Sequence, residues 1–165
     1  MKRLDNEKNK TIDYSSGLEQ LEKYYDRQFE LIKKGNTDLV TLELLMLGKG
    51  LDFIRYVHKR LGISLELSES SVELFEEVTD AFTRGVVQDE LFADETGSIA
   101  GNMSAYFGML IIANIGGNWE DTENGAALNV NERHVYVYDY IEKRLLGAVE
   151  TDAVSYYNSV KTVRK

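Results

Sequence analysis

From Ile99 to Ile115 the chain carries no charged side chain, although 28% of its residues are charged. The run lies within SIAGNMSAYFGMLIIANIGGNW, Ser98 to Trp119. Ile99, Met103, Tyr106, Phe107, Leu110 and Asn114 recur at helical spacing, and Gly101, Ala105, Gly108 and Ile112 form a second row three or four residues apart. A helix that is apolar over most of its circumference has to be covered on most sides, so the rest of the chain must fold around it. The small residues of the second row would let a neighbouring element approach its backbone. Thr96 or Ser98 is placed to cap its start. Gly116-Gly117 is placed to end it in a left-handed conformation, with Trp119 as an anchor at the exit. The run is shorter than the ~20 apolar residues of a bilayer span and is interrupted by Gly and Asn, so no membrane span is expected.

The remaining segments read as covering elements. A first helix is expected from about Ser15 to Lys34, with Leu18, Leu21, Tyr25, Phe29 and Ile32 as its inner stripe and Gly35-Asn36 as its end. A second, capped by Asp38, reaches Leu61; Leu39, Leu42, Met46, Phe53, Ile54, Val57 and Leu61 fill one side, and Leu44, Leu45 and Leu47 widen the apolar surface. Gly48-Lys49-Gly50 lies inside it and reads as a kink or a close crossing. Ile63 to Leu67 alternates as a half-buried strand or a straight connection. A third helix, capped by Ser68 or Ser70, runs to about Arg84 and stops at Gly85. Residues 86–95 form a link or a short helix.

After Trp119, residues 120–125 read as a polar loop. Ala126–Val130 and Arg133–Tyr138 then read as two strands about an Asn131-Glu132 turn. In that register Leu128 faces Val135 and Ala126 faces Val137, with His134, Tyr136 and Tyr138 on the opposite side. A short helix over Asp139–Leu146 ends at Gly147, and a last helix starts at Thr151 or Asp152. The expected fold is α+β and mainly helical: an N-terminal helical hairpin in residues 1–62, then a C-terminal α+β segment in 63–165 with the buried central helix and a small antiparallel β-hairpin, packed as one compact unit.

Charge and composition narrow the function. Twenty-eight acidic against 19 basic residues give a net charge of -9, which argues against nucleic acid or an anionic membrane surface as partner. The absence of cysteine excludes disulfides, thiol catalysis and cysteine-held metal, and fits a cytoplasmic protein. The N-terminal MKRLDNEKNK lacks the apolar core of a secretory signal.

His58 and His134 have no further ligand at short spacing, and the acidic groups at 89–90, 94–95 and 120–123 lack calcium-loop spacing, so no metal and no cofactor are expected. No nucleotide fingerprint or nucleophile elbow is present.

Ala105-Tyr106-Phe107-Gly108 followed by Gly117-Asn118-Trp119, together with the serine-capped helix after Leu67, resembles a bacterial domain family of unknown function. The resemblance covers residues 63–163 and implies a serine-capped helix, a "YFG" helix, a Gly-Gly-x-Trp turn and a C-terminal hairpin. It implies no catalytic residue. Small immunity or antitoxin-like proteins share the size and acidity.

The residues expected to bind are Asn118, Trp119, Glu120, His134, Tyr136 and Tyr138, around the Trp turn and the aromatic side of the hairpin. The expected function is a small acidic module that recognises another protein, steered toward a basic partner. The alternative is an enzyme or small-ligand binder with a pocket near the Gly-Gly-Asn-Trp turn. Self-association through the second helix is a further expectation.

Overall fold

The computed structural model of the protein describes residues 12–88 and 96–162. Among them are six α-helices and three strands: α1 Leu18–Lys33, α2 Leu42–Leu61, α3 Ser71–Gln88, α4 Thr96–Asn114, β1 Asn118–Thr122, β2 Gly125–Val130, β3 Arg133–Val135, α5 Val137–Leu145 and α6 Ala153–Lys161. The strands form one antiparallel sheet in the order β1-β2-β3. The fold is therefore mainly helical α+β.

The uncharged run is the buried central helix, α4. Every residue from Met103 to Ile111 is buried. Its Phe107 stacks on Phe75 of α3 at 4.8 Å between ring centroids, and Tyr106 packs on Phe53 of α2 at 5.8 Å. One hydrophobic core joins Tyr14, Leu21 and Leu47 from the N-terminal segment to Phe75, Leu128, Ile141 and Tyr157 from the C-terminal one. α4 is described from Thr96 onward, and Ser98 lies inside its first turn rather than at a capping position. Gly116 and Gly117 do end the helix, with φ of +114° and +115°.

The two glycines of α2 mark close crossings on two sides. A Cβ at Gly48 would lie 2.7 Å from the Tyr25 ring of α1, and one at Gly50 would overlap the Met109 side chain of α4. These contacts offset the low helix propensity of the pair.

Several boundaries differ from the sequence reading, each for a local reason. The expected start of α1 is a separate 3-10 turn, Tyr14–Ser16, capped by Asp13, and the helix begins at Leu18. Within α1, Gln28 is buried and Phe29 is 44% exposed. Asp38 sits in a 3-10 turn, Thr37–Leu39, and the cap of α2 is Thr41, whose hydroxyl accepts from the Leu44 N–H. Residues 63–67 are an extended connection, not a strand. Two of their carbonyls are held by α4, Glu66 O by the Tyr106 hydroxyl at 2.6 Å and Leu67 O by Asn114 Nδ2 at 2.8 Å. Gly85 does not stop α3, which continues to Gln88. Residues 89–95, read as a link or short helix, lie outside the described residues.

At the C-terminal end, α3, α5 and α6 meet at one carboxylate. Glu76 accepts from the Arg144 guanidinium and from the Ala153 N–H at 2.7 Å. Beside them Tyr140 and Tyr156 stack at 3.9 Å and 8°. Asp152 caps α6, accepting from the Ser155 N–H at 2.7 Å.

Candidate functional site

The sheet has one face in the core and one face toward solvent. Period-2 alternation sends Trp119, Leu128, Val130 and Val135 to the inner face and Asn118, Glu120, Thr122, Asn129 and His134 to the outer. Asn131 and Glu132, with φ of +51° and +69°, make the two-residue turn between β2 and β3, the geometry that a twisted hairpin prefers. This turn pairs Leu128 with Val135 and Asn129 with His134. The first of these pairs is the one read from the sequence.

The expected polar loop at 120–125 is instead β1 and a tight turn: Trp119 pairs with Leu128, Glu120 with Ala127 and Thr122 with Gly125. Its edge is fastened to α2. Glu43, half-buried in the first turn of that helix, accepts from the Trp119 N–H at 2.7 Å and from the Tyr14 hydroxyl at 3.2 Å. Burial outweighs these two bonds and holds the Glu43 carboxyl above the usual range.

Glu120 is the centre of the outer face. Its Oε1 accepts from Asn129 Nδ2 at 2.9 Å and, weakly, from Asn118 Nδ2 at 3.5 Å; its Oε2 lies 2.8 Å from His134 Nε2. The Asn129 bond first, then His134, hold its carboxyl below the usual range, so it stays ionised at neutral pH. The Glu120–His134 contact reaches from one edge strand to the other over β2. Tyr136 stands beside it, edge-on to His134 at 6.4 Å between centroids, with its hydroxyl 3.1 Å from Thr122 Oγ1.

Of the six residues expected to bind, four converge here: Asn118, Glu120, His134 and Tyr136. Trp119 does not join them. It is 5% exposed, on the inner face, with its ring against Gly108, and its Nε1 has no hydrogen-bond partner among the described residues. Tyr138 lies on α5 rather than on a strand and donates to Glu142 Oε2 at 3.0 Å. It is there because β3 ends at Val135 and Val137 opens α5, which also removes the expected pairing of Ala126 with Val137; Ala126 pairs with Asp121. Asn129 is the member that the sequence reading missed. The two-residue turn contained the signal, because it sets Asn129 opposite His134.

Cavities lie at the N-terminal turn with α1, between α2 and α3, and between the N-terminal turn and the end of α4. The outer sheet face lines none of these. Among the described residues no three His, Asp or Glu side chains converge for a metal ion, and no helix is long and apolar enough to cross a membrane. His58 is exposed and contacts Ser64 at 3.3 Å.

The geometry defines a mainly helical α+β domain with a polar, preorganised sheet face. No family model, curated protein or solved structure matches the chain, so the likeness of residues 63–163 to a bacterial domain family rests on its motifs alone.

Proposed function

We propose that the outer sheet face is a protein-recognition surface and that the chain is a small acidic binding or regulatory module of a bacterial cytoplasm. The observation that supports this reading is the Glu120 carboxylate, fixed by Asn129 and His134 and facing solvent on a sheet whose other side is buried. A charge held in one rotamer loses little entropy when it meets a cationic side chain. Tyr136 beside it supplies the amphipathic ring that interfaces favour. The net charge of -9 would steer a basic partner toward the domain and repel nucleic acid.

The test is affinity capture from cells that express the chain naturally, comparing wild type with Glu120→Ala and His134→Ala at low and high salt. A specific partner that is lost with Glu120→Ala and weakened by salt supports the reading. Capture that is indifferent to both the substitution and the salt overturns it.

A further inference from the structure

A groove opens where the last turns of α2 pass the second half of α3. Tyr56, Arg60 and Leu61 line one side and Ala81, Phe82 and Gly85 the other, around a cavity of about 310 Å³. Phe82 is 8% exposed and packs on the core residue Phe53 at 6.3 Å. The Tyr56 ring lies stacked beside Phe82, 6.1 Å away and tilted by 29°. Tyr56 and Leu61 are 39% and 45% exposed, so the groove presents apolar surface to water.

Two features set the groove apart among the described residues. The first is Gly85. It lies inside α3 with no left-handed backbone, and nothing stands within 4 Å of the position its Cβ would take. Glycine is a costly residue inside a helix. Neither backbone geometry nor packing among the described residues asks for it here, whereas a side chain would fill the cavity. The second is Arg60. Its neighbours Arg55 and Arg84 are paired with Glu22, Asp52 and Asp80. Arg60 lies over the Tyr56 ring at 5.8 Å and has no carboxylate partner among the described residues.

From these features we infer that the groove binds a small aryl carboxylate, a planar ring joined to a carboxylate by a short linker. The ring fits against Tyr56 and Phe82 in the space Gly85 leaves open, and the carboxylate meets the Arg60 guanidinium at the rim. The volume is at the lower end of small-ligand sites, enough for one ring system. In a chain of net charge -9, an arginine that has no carboxylate partner among the described residues and stands beside an apolar cavity sets the sign of the ligand. This site belongs to α2 and α3 and is independent of the sheet face proposed above.

The probes are phenylacetate and its neutral analogue phenylacetamide, titrated to about 10 mM into the full chain and followed by amide NMR shifts. Phenylacetate is expected to shift residues 56–61 and 81–85 saturably and to bind about fivefold or more tighter than phenylacetamide. Arg60→Gln should erase that difference, and Gly85→Leu should abolish binding of both probes while the far-UV spectrum stays native. The proposal is overturned by equal affinity for the two probes, by the absence of shifts in the groove, or by an undiminished response in Gly85→Leu. Groove shifts that depend on protein concentration without a probe would assign the site to a second copy of the chain and would overturn it as well.

Discussion

The indole of Trp119 occupies the space that a side chain on Gly108 would need. Residue 108 lies in the buried middle of the central helix and residue 119 in the first strand of the sheet, so this contact sets how closely the sheet approaches α4. Gly108→Ala is expected to destabilise the protein by about 2 kcal/mol through overpacking. Gly101, in the same row of small residues, has nothing within 4 Å of its Cβ position. Gly101→Ala is expected to stabilise by up to about 1 kcal/mol. Urea unfolding of the two variants, followed by the fluorescence of the single tryptophan, separates the two effects.

Glu43 ties Tyr14, α2 and β1 together through its carboxylate. Glu43→Ala leaves two donors without their acceptor and should cost about 2 kcal/mol, whereas Glu43→Gln keeps an acceptor oxygen and should cost less. Because burial holds the native carboxyl above its usual range, the folded state binds the proton more readily than the unfolded one. The contribution of Glu43 is thus complete below the unfolded pKa and fades as pH rises through the folded one. Urea midpoints at pH 7 and about pH 4 should show wild type gaining on Glu43→Gln upon acidification.

Asp152 has the opposite sign. Its bond from the Ser155 N–H pulls the carboxyl below the usual range, so its stabilisation is present above the unfolded pKa and lost as pH falls through the folded one. Asp152→Ala is expected to cost about 1 kcal/mol at neutral pH as a lost helix cap. The difference from wild type should shrink in acid, measured by thermal unfolding across pH.

Glu76 and Arg144 form a pair that is largely shielded from water, and Arg144 Nη1 has no partner among the described residues. Glu76→Ala strands a buried guanidinium and is expected to cost about 3 kcal/mol. Replacing both partners, Glu76→Ala with Arg144→Met, should recover most of that loss. A double-mutant cycle by urea unfolding gives the coupling.

Glu132 holds a left-handed φ of +69° without being glycine. Glu132→Gly turns the loop into Asn-Gly, which adopts this geometry without strain, and is expected to stabilise by about 1 kcal/mol. An unchanged melting temperature would mean that the hairpin absorbs the strain elsewhere.

How far the sequence reaches differs between the helices and the site. The helical spacing of α4, the small residues of α2, the double-glycine exit and the Asn131-Glu132 turn are local patterns, and each is realised as read. The site was legible only in part. Glu120 and His134 stand out as chemistry-bearing residues, but their contact needs β1 to be a strand. The Glu120 to Asn124 segment is polar enough to read as loop, yet Glu120 to Thr122 pair, because β2 lies beside them and because Glu43, 76 residues before Trp119, takes the Trp119 N–H. The same limit hid the burial of Trp119, since an indole reads alike on either face until the register is known.

Local spacing and charge by themselves determined the class of this protein: a long apolar helix that has to be covered, amphipathic helices able to cover it, and a strongly acidic surface. Those properties follow from short-range periodicity and from the cost of hydrating apolar side chains, both written along the chain. Only the tertiary structure decided which polar residues meet on the sheet, which glycines are filled by a neighbour, and where an arginine is left beside an open groove. Those outcomes depend on pairings between residues far apart in sequence, whose energies exist only once the core has brought the elements together.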